Sequence, residues 1–181
     1  MSALSILGLV LPLPVAFILH DAEEVLLQRG WMLRNAALVK ERMPWAAPVI
    51  SRLLRLTTGA FAIAAIEELL LILAATACVL VQAGFALEVW AAMVMAFALH
   101  LLVHVAQAVL MRGYVPGLVT AVLLLPYSAW GVYSLWLAMG LGTLLLCTVA
   151  GVAVAAVNLR FAHWLGIALT SGRNAAKTGS S

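Results

Sequence analysis

Apolar residues run along this chain in five long blocks, near residues 3–27, 53–81, 87–111, 116–138 and 140–165, separated by short polar or small-residue breaks. Each block holds roughly the 20 residues that a helix needs to cross a ~30 Å hydrocarbon layer. The pattern predicts an all-α membrane protein, a bundle of five transmembrane helices forming one domain over 1–170. Pro12 and Pro14 in the first block and Pro126 in the fourth predict kinks that neighbouring helices can accommodate. Between the first two blocks, Trp31, Leu33, Val39, Met43 and Trp45 are interleaved with basic residues, which predicts a short interfacial helix ending near Pro44. From Ser171 to Ser181 the Gly, Ser and Ala content predicts a disordered tail.

Composition sharpens this picture. The chain is 66% hydrophobic and 9% charged, with a mean hydropathy of +1.14, which excludes an ordinary soluble domain. The net charge of +3 does not point to nucleic acid, because the basic residues are scattered at the edges of the apolar blocks. They act instead as topology signals. Arg29, Arg34, Lys40, Arg42, Arg52 and Arg55 occupy the first connection, whereas Gln82–Glu88 contains no lysine or arginine. Arg112 marks the third connection, the fourth has no basic residue, and Arg160, Arg173 and Lys177 lie toward the C-terminus. One orientation satisfies the positive-inside rule at every connection, with the N-terminus outside and the C-terminus in the cytoplasm. The first block has no basic leader and no small-residue cleavage site, so it reads as a retained span. Cys78 and Cys147 lack CxxC spacing and read as small apolar residues, and no internal repeat of the transporter kind is present.

The polar residues inside the blocks carry the chemistry. His20, Asp21, Glu23 and Glu24 follow directly on an apolar run, and helical spacing puts His20, Glu23 and Glu24 on one face with Asp21 about 100° away. The second block contains Glu67 and Glu68, of which Glu67 shares a face with Thr57, Ala60, Ala64 and Ala74 and is preferred as the inward residue. The third holds His100 and His104 at i, i+4, the spacing by which one helix offers two imidazoles to one ion. Counting along the helices from the cytoplasmic basic residues places Glu24 and His20 about 8–14 Å deep, His104 and His100 about 12–18 Å, and Glu67 about 18 Å. These depths overlap. A carboxylate at mid-membrane costs roughly 2.5–3.5 kcal/mol on insertion scales, and no lysine or arginine lies in the block interiors to offset it. Charge balance therefore favours bound cations, one or two divalent ions held by His20, Glu23, Glu24, Glu67, Glu68, His100 and His104. Asp21, Asn158, Tyr114 and His163 are candidate outer donors.

The stretch His20-Asp21-Ala22-Glu23-Glu24, together with His100-Leu101-Leu102-Val103-His104 and the following Tyr114–Thr120 segment, resembles the bacterial HXXEE-motif membrane proteins over about residues 15–165. The resemblance implies a shared architecture and polar site in a bacterial inner membrane. Members carry an asparagine shortly before the first of these histidines, where this chain has Ala96 and Phe97. Because the family is largely uncharacterised, the resemblance supplies no reaction. From the residues, the leading expectation is an intramembrane metal-dependent hydrolase acting on a lipophilic or membrane-embedded substrate. His20, His100 and His104 would hold zinc, and Glu23 or Glu24 would act as general base. Two alternatives remain open, a di-iron membrane oxidoreductase and a metal-ion or proton transport protein without catalysis.

Overall fold

The computed structural model describes residues 8–178, with side chains through Ser171. Five helices, with no strand among the described residues, follow in the order α1 (Pro12–Arg42), α2 (Ala47–Leu53), α3 (Thr58–Leu80), α4 (Ala86–Met111) and α5 (Leu118–Thr178). Of the expected C-terminal tail, residues 179–181 lie outside the described residues, and the backbone is helical to Thr178.

α1 starts at Pro12, where the missing proline N–H costs nothing, and runs for 31 residues. At 1.5 Å per residue it is about 46 Å long, well beyond the hydrocarbon thickness. The expected interfacial helix ending near Pro44 is therefore not a separate element. No breaker stronger than Gly30 interrupts the chain before Pro44, so the first helix simply continues through the basic stretch. The short helix in this connection, α2, begins after Pro44 and the 3₁₀ turn Pro44–Ala46.

α3 is capped by the Thr57 side chain, which accepts from the Ala60 amide at 3.1 Å. α4 ends at Arg112 in the left-handed region, with the Gly113 amide reaching back to the Ala108 carbonyl. α5 is 61 residues long and is broken at Gly140, whose φ of 75° and ψ of 165° are not helical. The break is a reversal. Gly131, nine residues before it, approaches Val94 of α4, and Gly151, eleven residues after it, abuts Ala92 of the same helix. Both arms of α5 (118–139 and 141–178) thus pass α4 at one level.

Among the described residues, three helices, α3, α4 and α5, are long and apolar enough to cross a membrane, where the sequence pattern predicts five spans. The difference has a physical origin at each end of the chain. The fourth and fifth blocks are the two arms of α5, and the first block is split between residues 1–7, outside the described range, and a helix whose other half is charged. The outer surface of the apolar blocks is itself apolar, with Leu123, Leu146, Val149 and Val157 each at least 70% exposed.

Packing between helices relies on close backbone approach. A Cβ at Gly166 would sit 2.0 Å from the Ala60 carbonyl oxygen, and one at Gly151 would sit 2.2 Å from that of Ala92, so the second arm of α5 lies directly on α3 and α4. One core gathers Leu13, Phe17, Trp90, Val94, Leu101 and Leu135. A second, formed by Met32, Val39, Met43, Ile50, Met111 and Val115, joins the extension of α1 to the end of α4 and the turn that follows. Arg29 and Arg42 add hydrogen bonds from α1 to the carbonyls of Leu56 and Met111. These contacts fix α1 beside α4 and the start of α5, where the polar residues meet.

Candidate metal centre

One turn of α1 and one of α4 face each other across the core. His20 and Glu24 are at i, i+4 on α1, His100 and His104 at i, i+4 on α4, so each pair projects from a single helix face. Glu24 stands at the centre. Its carboxylate lies 3.4 Å from His104 Nε2, 3.6 Å from His100 Nε2 and 4.0 Å from His20 Nε2. The two α4 imidazoles meet at 3.1 Å between their Nε2 atoms. One ligand atom from each of the four residues lies within 4.8 Å of all the others. Ligands on one tetrahedral ion with ~2.0–2.1 Å bonds are about 3.3 Å apart, so the set is close to the size that one ion requires. Among the described residues, the only ion-pair contacts within 4.0 Å are these three, and none involves lysine or arginine.

The hydrogen bonds around His20 show how it is aimed. His20 is fully buried, and its Nδ1 is 3.0 Å from the Thr120 hydroxyl. That hydroxyl donates to Glu23 Oε2 at 2.7 Å, which leaves Thr120 to accept from His20 Nδ1–H. The chain Glu23–Thr120–His20 therefore selects the tautomer whose Nε2 carries a lone pair, and this buried Nε2 has no hydrogen-bond partner. An unpartnered imidazole nitrogen in the interior is costly unless something cationic accepts it. The donor set and this atom both fit a divalent metal ion.

Glu23 is the residue whose placement departs most from expectation. It turns away from the group of four and accepts from the Tyr114 hydroxyl at 2.6 Å, the Thr120 amide at 2.8 Å and the Val119 amide at 3.3 Å. Those amides belong to the first turn of α5, so Glu23 caps that helix from across the bundle, where a negative charge complements its positive end. Burial and the bond to Glu23 push the Tyr114 phenol above its ordinary range, keeping it a donor.

The glutamates of α3 also sort differently from the sequence preference. Glu67 accepts from the Asn158 amide at 3.0 Å, tying α3 to the second arm of α5. Glu68 lines the cavity beside Glu24, His100 and Asp21. A register difference of 100° decides between them, and the small-residue face that Glu67 shares is the face that packs on α5. His163 lies outside the group of four, edge-on to Phe61 with ring centroids 5.8 Å apart.

Gly117 had no role in the sequence reading beyond its place in the Tyr114–Thr120 segment. It has φ of +84°, and a Cβ there would lie 2.8 Å from His104 Cε1, 2.9 Å from His104 Nδ1 and 3.0 Å from His20 Cε1. The backbone of the Pro116-Gly117 turn is thus a wall of the site, and the Pro-Gly pair before an apolar run was its available signal.

A cavity of about 680 Å³ adjoins the cluster, walled by α1, α3, α4 and the second arm of α5. His100 and Glu24 face it, while His20 and His104 are buried behind them.

A family model described as a protein of unknown function with HXXEE motif matches residues 11–131. Among curated proteins and among solved structures, nothing matches.

Proposed function

The chain belongs to the family of proteins of unknown function that carry the HXXEE motif, and from that premise we propose that it crosses a membrane five times and hydrolyses a substrate drawn from the bilayer, using a divalent metal ion held by His20, Glu24, His100 and His104. The convergence of those four ligand atoms within 4.8 Å, with a buried and unpartnered His20 Nε2 among them, carries the reading. A bound divalent ion supplies Lewis acidity, polarising a carbonyl oxygen and lowering the pKa of water toward ~7. Zinc suits a donor set of three imidazoles and one carboxylate.

The protein's own groups divide the remaining work. His20 and His104 would hold the ion from the buried side and His100 and Glu24 from the cavity side, so the substrate would approach through the cavity. Glu68, on the cavity wall, takes the proton of the attacking water. The water oxygen bonds to the carbonyl carbon, the acyl C–O or C–N bond breaks, and Glu68 returns the proton to the leaving oxygen or nitrogen. Asp21, beside it, is the second carboxyl in reach of this transfer. Glu23 positions His20 through Thr120 and does not touch the substrate.

A second reading, a two-iron oxidoreductase, draws support from Asp21 and Glu68 flanking Glu24, since carboxylates bridge such pairs. Elemental analysis of detergent-purified protein separates the two. The hydrolase predicts about one zinc per chain, lost in both His20→Ala and His104→Ala while the variants still elute as folded protein. About two irons per chain would favour the oxidoreductase, and a wild-type protein without retained metal would overturn both. For the hydrolase, Glu68→Gln should retain its metal and lose turnover of lipid esters.

A further inference from the structure

The cavity beside the cluster has a shape and polarity of its own. It follows α4 from His100 to Glu88, twelve residues or about 18 Å. That is close to half of a ~30 Å hydrocarbon core, the reach of one acyl chain. Small residues make the space, among them Ala64, Ala92, Ala96, Ala150, Gly151 and Ala155. Polar groups gather at its inner end, where Asp21, Glu24, Glu68 and His100 line it, and most of the length between there and Glu88 is apolar. Its wall is incomplete, because Leu71, Leu146 and Val154 line it and are also exposed, which opens it sideways. No lysine or arginine lines it.

We propose that this groove binds an acyl chain of a membrane amphiphile, with its carbonyl end at His100 and Glu24, its methyl end toward Glu88, and an uncharged ester or amide as its head linkage. The apolar length suits a hydrocarbon chain, and the sideways opening admits one without passage through water. Without a metal, the carboxyl groups of Asp21, Glu24 and Glu68 stand at this end with no lysine or arginine beside them, which disfavours a free fatty-acid anion and accepts a neutral linkage. The orientation rests on the metal-site reading above, while the chain binding does not.

Photo-labelling of the full chain in nanodiscs tests this. The probes are palmitoyl amides carrying a diazirine either near the carbonyl or near the methyl end, with labelled residues mapped by mass spectrometry. The carbonyl-proximal label should fall on the segment Ala96–His100 and around Glu68, the distal label on Val89–Met93 and around Leu146. Ala96→Trp, which fills the groove, should reduce distal labelling roughly tenfold or more. Ala155→Trp, at an exposed wall position, should do the same with less demand on packing. In chelator-stripped protein a palmitate probe should label more weakly than the amide. Labels spread over the outer surface regardless of diazirine position, or equal labelling of the stripped protein by palmitate, would overturn the proposal. Elemental analysis of the purified preparation separates the two readings. Ordered labelling in a protein that never held metal sinks the metal site alone, and scattered labelling in a metal-loaded protein sinks the groove alone.

Discussion

Individual residues in this site act through positions that composition cannot reveal. Gly117 combines a positive φ with imidazole atoms at van der Waals range, so any side chain there is both strained and in the way. Gly117→Ala should cost about 1–3 kcal/mol from backbone strain alone, seen as a lower melting temperature in detergent, and should weaken metal retention as His20 and His104 are pushed apart. An unchanged melting curve and metal content would contradict the described turn. Thr120 offers a finer test, because its hydroxyl both accepts from His20 and donates to Glu23. Thr120→Val keeps the shape and removes the relay, so metal affinity by chelator competition should fall about 10–100-fold, while Thr120→Ser restores it. Equal affinities for Val and Ser would show that the hydroxyl does nothing beyond packing. Spacing alone made the pairs His20/Glu24 and His100/His104 legible, since i, i+4 fixes a shared face whatever the tertiary fold. Glu23 was not separable from Glu24 by the same rule, because both i+3 and i+4 lie on that face, and only the arrival of the α5 first turn decides which one points inward.

At the scale of helices, the apolar blocks located α3, α4 and the two arms of α5 well, and Gly140 falls at the boundary that the pattern drew between the fourth and fifth blocks. What the pattern could not give was the end of α1. Helix-compatible residues continue from the apolar block into the basic stretch without a stop, so hydropathy marks the membrane edge and the helix runs past it. The extension earns its order from the second core and from Arg29 and Arg42 bonding to carbonyls of other segments. Interhelical fit was legible only as a scatter of glycines, because which of them touch a backbone depends on rotation about each helix. Gly166 and Gly142 make that distinction testable. A Cβ at Gly166 meets the Ala60 carbonyl at 2.0 Å, whereas one at Gly142 meets nothing within 4 Å. Gly166→Ala should force α3 and α5 apart and lower the yield of monodisperse protein in size-exclusion chromatography. Gly142→Ala should behave as wild type, and parity between the two would argue against the close crossing.

For the whole molecule, the charge distribution and the fold make one joint prediction about orientation. α5 as a single straight rod of 54 membrane-competent residues would be about 81 Å long, far more than a ~30 Å core can hold. Its reversal at Gly140, with both arms at the level of Ala92–Val94, would make it two crossings. With α1, α3 and α4 crossing as proposed, the total would be five and the chain ends would lie on opposite sides. The basic residues of the α1 extension and Arg112 collect at one end of the bundle, and the Gln82–Glu88 turn lies at the other with no basic residue. On the positive-inside rule, the prediction is that the His20, Glu24, His100 and His104 group lies in the cytoplasmic half and Glu88 at the outer end of the groove. Single cysteines in a background lacking Cys78 and Cys147 test the arrangement with a membrane-impermeant maleimide. Ala83→Cys and Gly142→Cys should react in intact cells, and Gly113→Cys only after permeabilisation. Reaction of Gly142→Cys from the same side as Gly113→Cys would mean that the second arm of α5 does not recross, and the groove it walls could not exist in the bilayer.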